Sequence, residues 1–520
     1  MQEITFGTIG IEKLLRNVKP HKASGPDEIP ARFLQENAAE LAPVYQHLFT
    51  QSYNQSILPS SWSQATVCPI YKKGQRCLPE NYRPVSLTAI PCKLMEHIVV
   101  SKMWEHLNQH QIVTNQQHGF RTGLSCTSQL VSAVDDWTSE LNKGRNQVDV
   151  LVLDFSKAFD TVPHQRLLQK IKSYGITGKN EGWIREFLTN RQHQVVVNGS
   201  KSEIKDVTSG VPQGTVLGPL LFVLYINDIE KDITSKIRLF ADDSAIYRRV
   251  DSIEDCQRLQ EDLNKLENWS AKWQMRFNVA KCKILRITKK KNPIRHTYLM
   301  KDTPLESITS DKYLGVILDN QLTFNDHVIQ ISKKATTMLN LCRRNLHMCT
   351  STSKEKAYVS LVRPHLEYAA PAWNPHTTKN IYMLEQVQRR AARFILNNYE
   401  YNATANLSHQ ISNNLKWLSL QHRRAVSDLV TFYKIKHHHI QMPFPASVSP
   451  SQLHPDKYMH IQGLHSTAYH NSFYPRAIRL WNNIPIQVIN APSPESFRVN
   501  LTKHITPLAW QRVNNTWSLC

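Results

Sequence analysis

Two adjacent carboxylates, Asp242 and Asp243, lie between short apolar runs. Ile237, Leu239 and Ala241 recur at every second position before them, and Ala245, Ile246 and Tyr247 follow. That alternation predicts strand, tight turn and strand, with the acids at the turn. Neighbouring acids inside apolar sequence repel each other unless a divalent cation compensates them, so the pair is a candidate Mg²⁺ site. Alone, an Asp-Asp reads equally well as an ordinary polar turn. A third carboxylate changes the balance. Val148, Val150 and Val152, with Leu151 and Leu153, predict a buried central strand ending at Asp154. A sheet fixes such an acid while the loop beyond it stays open to solvent. Carboxylates that share two Mg²⁺ ions, with Mn²⁺ as an alternative, are the equipment of in-line phosphoryl or nucleotidyl transfer. Asp154, Asp242 and Asp243 are therefore the candidate catalytic and metal-holding residues.

The elements around these acids must hold a substrate. From Gly210 to Pro219 the chain carries three glycines and two prolines in ten residues, which predicts a shaped loop rather than a regular element. It leads into Leu220-Leu221-Phe222-Val223-Leu224-Tyr225, which predicts a buried helix. Glycines here allow a substrate to approach the backbone closely, and Gln213 offers hydrogen bonds to a base or sugar. Ile253, Cys256, Leu259, Leu263, Leu266, Trp269 and Trp273 recur every three or four residues. They predict an amphipathic helix, capped by Ser252 and Asp255, that packs under the sheet. Residues 1–50 predict helices around Leu14, Leu15, Leu34, Leu41, Leu48 and Phe49, interrupted by a Gly25-Pro26-Asp27 turn.

The order Leu153-Asp154-Phe155-Ser156-Lys157-Ala158-Phe159-Asp160, Gly210-Val211-Pro212-Gln213-Gly214, Phe240-Ala241-Asp242-Asp243 resembles the palm motifs of reverse transcriptases. More narrowly, it is similar to those of non-LTR (LINE-type) retrotransposons of the jockey/CR1 kind. Further stretches fall where that family would place them: Lys22-Ala23-Ser24-Gly25-Pro26-Asp27, Pro69-Ile70-Tyr71-Lys72-Lys73-Gly74, Asn81-Tyr82-Arg83-Pro84-Val85-Ser86-Leu87, Gln117-His118-Gly119-Phe120-Arg121 and Tyr313-Leu314-Gly315-Val316. Lys416-Trp417-Leu418 and Trp481-Asn482-Asn483-Ile484-Pro485 are weaker echoes towards the C-terminus.

The resemblance implies an α+β right-hand polymerase of fingers, palm and thumb, with an antiparallel palm sheet, a helical thumb and a small C-terminal region. Residues 1–130 are read as N-terminal helices and fingers, and 131–317 as palm, the reverse transcriptase domain running roughly from 60 to 317. Residues 318–440 are read as thumb and extension, 441–457 as a Pro- and Ser-rich linker, and 458–520 as the C-terminal region. The backbone carbonyl of Phe155 joins the three aspartates as an implied metal ligand. Lys72, Lys73, Arg83, Gln213, Gly214 and Lys281 are the implied nucleotide contacts, with the choice between Lys72 and Lys73 open. Phe159 resembles the bulky family residue that excludes a 2′-hydroxyl. Arg121, Tyr313, Leu314 and Gly315 are the implied primer and template contacts. Lys333, Lys334, Arg389 and Arg390, on the polar faces of two amphipathic thumb helices, join them through phosphates.

Composition agrees with polyanionic partners. Lys and Arg number 63 against 42 acidic residues, a formal net charge of +21. The implied partners are an RNA template, a DNA primer or target and dNTPs. No apolar run reaches about 18 residues, so a membrane span is not expected. Nine scattered cysteines without a Cys-x-x-Cys pair suggest reduced thiols in the nucleus or cytoplasm and no zinc site. His437-His438-His439 reads as a solvated basic turn. The chain is expected to lack the family's upstream endonuclease domain, and no RNase H signature is apparent. The expected function is RNA-directed DNA synthesis in target-primed retrotransposition. The alternatives are a catalytically idle or domesticated nucleic-acid-binding relic of the same fold, and another palm enzyme such as a nucleotidyl cyclase.

Overall fold

Side-chain alternation in the strand Gln147–Leu153 divides the protein into two cores in the computed structural model, which describes residues 1–144, 146–399, 411, 414–452, 456–460 and 466–505. Val148 and Val150 face one way with Ala245, Tyr247, Leu285 and Ile287. Leu151 and Leu153 face the other with Leu239, Ile246 and Ile284. This strand is the centre of a five-stranded sheet in the order Glu306–Ile308, Lys283–Thr288, Gln147–Leu153, Asp243–Arg249, Lys236–Phe240. Its pairings are antiparallel except at one edge, where Glu306–Ile308 runs parallel to Lys283–Thr288. The chain reaches that edge through a longer excursion, including the small Leu299–Met300 and Thr303–Pro304 hairpin, rather than through a tight turn. The apolar run in the central strand is broken by Asp149, which is fully buried. It is accommodated because Gln147 Nε2 (2.8 Å) and Tyr298 Oη (2.9 Å) donate to it.

The helix Leu217–Ile226 is apolar on every side and buried along its length except at Pro219. It lies in the first core with the helix Ile253–Trp273, whose cap has Asp255 Oδ2 accepting from Ser252 N at 3.2 Å. Ile253, expected on the apolar stripe, is exposed on the first turn of that helix. The N-terminal helices Thr8–Arg16, Ala31–Glu36 and Ala38–Gln55, together with Ile90–Gln109, complete this core. Above it the strand Gln64–Tyr71 pairs antiparallel with Tyr82–Leu87 and parallel with Gln192–Val197.

On the opposite face of the palm sheet the helix Cys126–Asn142 packs with the thumb helices Asn325–Asn345, Thr378–Leu396 and Leu420–Lys436. Between the first two of these the chain makes a π turn at Tyr358–Val362, just before Pro364. The stretch 441–457, expected as a linker, is packed where it is described. Met442 and Val448 are buried, and Val448–Pro450 pairs with Tyr458–His460. The described C-terminal residues are likewise no separate piece: the helices Phe473–Trp481 and Pro494–Ile505 bury Trp481, Phe497 and Leu501 in the thumb core. Apolar residues interleaved among the prolines outweigh the turn signals there. Residues 461–465 and 506–520 of the expected C-terminal region lie outside the described residues.

Among the described residues, no helix is long and apolar enough to cross a membrane, and the described cysteines are free thiols. The His437–His439 stretch follows the helix Leu420–Lys436. The ring of His437 lies 4.2 Å from that of Tyr433, and the other two imidazoles are exposed.

Candidate active site

Sheet register places the acids. Leu153 pairs with Ser244, so Asp154 stands across from Asp243, one step beyond the end of the ladder. Cross-strand neighbours there have Cα atoms about 4.5–5.5 Å apart. Phe240 pairs with Asp243, and Ala241 takes the left-handed conformation (φ 53°) that lets the chain reverse around Asp242. This turn is clamped from outside by Gln117. Its Oε1 accepts from both Gly119 N (2.7 Å) and Ala241 N (2.9 Å), while His118 N donates to Leu239 O (2.9 Å). Gly119 is required by the close approach: a Cβ there would lie 2.4 Å from Ala241 N.

The electrostatics are those of an anion cluster short of counter-charge. Partial burial, and then the charge of Asp154, hold Asp242 above its ordinary range, while Lys72 and Arg83 pull it back. Asp243 is exposed at the turn, yet partial desolvation beside Asp242 and Asp154, and their like charge, push it up to about 6, opposed by the same two cations. Lys72 and Arg83, at the mouth of the hairpin Gln64–Tyr71 and Tyr82–Leu87, thus lie within electrostatic reach of the acids. Lys72 and Lys73 both line a cleft of about 1850 Å³ on the same side, with Lys157, Arg276 and Lys281. Lys281 Nζ donates to Asp154 Oδ2 at 3.0 Å. Among the described residues, no group of three or more His, Cys, Asp or Glu side chains converges closely enough to enclose an ion. Asp154 is engaged by Lys281 instead. The donors are hard carboxylate oxygens crowded by like charge, which suits Mg²⁺ or Mn²⁺.

The glycine-rich loop is docked between palm and fingers. Val211 N donates to Phe159 O (2.7 Å) and Gly210 N to Val162 O (2.8 Å), so the loop lies along the turn after Asp154. Gly214, at φ 112°, has no space for a side chain because a Cβ would meet Ser86 O at 2.5 Å. Ser86 N donates to Gln213 O at 2.7 Å. The Gln213 amide donates to Asp160 Oδ1 at 2.9 Å, so its side chain is tied to the palm turn. Phe159 is held face to face on Phe222 (4.3 Å between centroids) and edge-on to Phe120 (6.1 Å). Phe155 stacks on Phe277 at 4.4 Å, which fixes the backbone beside Asp154.

Tyr313, Leu314 and Gly315 form a tight turn between Ser310–Tyr313 and Val316–Asp319, with Leu314 at φ 45° and Gly315 at φ 89°. Tyr313 is buried, its hydroxyl accepting from Gln129 Nε2 (3.2 Å), and Tyr368 Oη donates to Leu314 O (3.0 Å). The turn is thus anchored from the palm helix on one side and the thumb on the other. Arg121 turns inward, donating through Nη1 to Thr114 O at 2.8 Å, so part of its guanidinium holds the chain rather than a ligand. Lys333, Lys334 and Arg390 are exposed and Arg389 half-buried on their two helices.

Some residues that position the site were not singled out from the sequence. Gln117 lay inside a quoted motif, but nothing local announced its role as a clamp. Glu96 is an acid in a largely apolar helix. It is fully buried and accepts from Val216 N (2.7 Å) and Leu217 N (2.9 Å), capping the helix that follows the glycine-rich loop. An acid at such a position is itself a usable signal.

Residues 70–318 match the family of reverse transcriptases (RNA-dependent DNA polymerases). The RNA-directed DNA polymerase from mobile element jockey of Drosophila funebris is 27% identical over 400 residues, covering 74% of this chain and 43% of that protein. The probable RNA-directed DNA polymerase from transposon BS of Drosophila melanogaster is 27% identical over 379 residues, 68% of this chain and 40% of the other. That from transposon X-element of the same species is 27% identical over 387 residues, 72% and 42% respectively. The chain therefore spans less than half the length of the curated relatives it matches. A solved apo telomerase from Candida tropicalis, 11% identical, covers 54% of this chain and 59% of its own at a TM-score of 0.36, a likeness too weak to argue from.

Proposed function

We propose that this chain, whose residues 70–318 match the reverse transcriptase family and resemble the polymerases of the jockey, BS and X-element retrotransposons, extends a primer 3′-hydroxyl with dNTPs on an RNA template. The observation that carries this reading is the juxtaposition of Asp154 with the Asp242–Asp243 turn at the end of the palm ladder. Asp154, Asp242, Asp243 and the Phe155 carbonyl would hold Mg²⁺, or Mn²⁺ in its place. When bound, the metal supplies an activated 3′-oxygen and neutralises charge on the triphosphate.

The chain's own residues do the rest. Lys72 and Arg83 face the acids from the fingers, where they offset the charge of an incoming triphosphate. Lys73 and Lys281 line the adjoining cleft. Release of Lys281 from Asp154 frees that carboxylate for metal and places an ammonium near the departing pyrophosphate. Phe159, immobilised on Phe222, excludes a 2′-hydroxyl by contact rather than by attraction. Gln213 and Gly214 shape the floor under the nucleotide. The Tyr313-Leu314-Gly315 turn supports the primer end, and the basic thumb faces with Lys333, Lys334, Arg389 and Arg390 follow the template–primer phosphates. The activity serves retrotransposition primed at a target site, in the reducing interior of the nucleus or cytoplasm.

The test is primer extension by the purified chain on an RNA template with annealed DNA primer, dNTPs and Mg²⁺. Template-length DNA is expected. Tight primer–template binding with no extension would replace this reading with that of a non-catalytic relic.

A further inference from the structure

Where the N-terminus of the helix Cys126–Asn142 meets the helices Leu420–Lys436 and Pro494–Ile505 there is a pocket of about 450 Å³, apart from the polymerase cleft. Its charged lining is Arg423, Arg424, Lys434 and Arg498 against a single carboxylate, Glu367. Glu367 is already occupied: Arg423 donates to it through both Nε and Nη2, and Arg363 lies 3.7 Å away. The basic charge of the pocket is therefore in excess.

Arg424 is the decisive residue. It is 1% exposed, its Nε donates to Asn374 Oδ1 at 2.9 Å, and both Nη1 and Nη2 lack a hydrogen-bond partner. Burial draws it below its ordinary range, to about 10, offset by the charges of Glu385, Asp428 and Glu367. None of these is within ion-pair distance of it: Asp428 pairs with Arg476 at 2.8 Å, and Glu385 accepts from Gln421 N at 2.9 Å. Folded proteins rarely leave a buried guanidinium half unsatisfied. Ser125 and Thr127, at the positive end of the 126–142 helix, line the same space. A planar guanidinium with two parallel donors, a helix N-terminus and flanking cations together match a tetrahedral oxyanion.

We propose that this pocket binds a phosphoryl group, with Arg424 as its buried anchor and Lys434 and Arg498 at its rim. The phosphate belongs either to a small phosphorylated molecule or to the backbone of the nucleic acid the chain handles, and the test separates these sources. Thermal unfolding of the full chain is followed in EDTA, which keeps metal-assisted phosphate binding out of the polymerase cleft. Inorganic phosphate is titrated against chloride of equal ionic strength. A saturable rise in Tm is expected. The double variant Lys434→Ala/Arg498→Ala, which truncates one half-buried and one exposed side chain at the rim, should keep the fold by circular dichroism and weaken the phosphate response by about tenfold or more. Arg424→Met, checked for folding by circular dichroism, should abolish the response, because the two unpartnered Nη donors are removed. In a second arm a short single-stranded RNA is added. Displacement of phosphate from the parent chain identifies the backbone as the source, and unaltered phosphate binding identifies a small molecule. The proposal is overturned if phosphate gives no saturable shift, or if parent and double variant respond alike.

Discussion

Replacing Gly119 with alanine should disable the Asp242–Asp243 turn without touching either acid. The added Cβ would lie 2.4 Å from Ala241 N, whereas ordinary contact begins at 3.4 Å, so the two backbones must part by about 1 Å. Gln117 Oε1 is shared between Gly119 N and Ala241 N, and that parting breaks the bond that sets the turn. A misplacement of about 1 Å at a reacting centre costs roughly 10²-fold in rate, or ~2.7 kcal/mol of activation free energy. The crowding itself should cost about 1–3 kcal/mol of stability, which a domain of this size tolerates. The assay is single-turnover addition of one nucleotide at saturating dNTP, with folding checked by circular dichroism and primer–template affinity by fluorescence anisotropy. Gly10→Ala is the control: its Cβ meets nothing within 4 Å, and in a helix the change should stabilise by up to ~1 kcal/mol. The rate constant should fall about 10²-fold with unchanged primer–template Kd. A folded Gly119→Ala variant extending primers within about threefold of the parent would refute the clamp.

Phe159→Val should lower discrimination against ribonucleotides by about 10–10²-fold, measured as the ratio of kcat/KM for dNTP and rNTP; an unchanged ratio would remove Phe159 from that role. Asp243 titrates at about 6 in the folded chain against an ordinary 3.8, so the folded state retains a proton that the unfolded chain releases between those values. The contribution of Asp243 to the stability of the metal-free chain therefore falls as pH rises through that window. The rise in Tm caused by Mg²⁺ should be larger near pH 7 than near pH 5 and absent in Asp243→Asn; equal shifts at both pH values would count against metal at this residue. Lys281→Ala should change stability by less than about 1 kcal/mol, because its ion pair is half exposed, yet slow extension roughly 10²-fold if the ammonium assists the leaving group. An unaltered rate would leave Lys281 a structural partner of Asp154.

The palm was legible because its signals are local. The alternation through Ile237, Leu239 and Ala241 and the apolar run ending at Asp154 each depend on one strand's burial, and the hairpin and central strand form where those patterns lie. Interactions across long sequence separations were not legible. The Gln117 clamp on Ala241, the Glu96 cap on the Leu217–Ile226 helix and the Tyr368 bond to Leu314 each join segments whose proximity only the tertiary fold decides. The packed stretch around Met442 and Val448 was misread for a related reason. Its prolines and serines carry turn propensity, while its burial comes from helices elsewhere in the chain, such as the 126–142 helix, where Ser132 Oγ lies 2.8 Å from Met442 Sδ. Phe159 stood out by its resemblance to the family's bulky residue, but its rigidity comes from Phe222, beyond the glycine-rich loop.

The proposed division of labour puts nucleotidyl transfer on three aspartates at the end of the palm ladder and affinity on the basic surface. It is tested most directly by Asp242→Asn in Mg²⁺-dependent primer extension on RNA, with primer–template affinity measured on the same sample. Extension should fall by at least about 10³-fold with affinity unchanged within about threefold, since binding rests on phosphate contacts. Extension at near-parental rate, or an equal collapse of binding and extension in a folded protein, would contradict it.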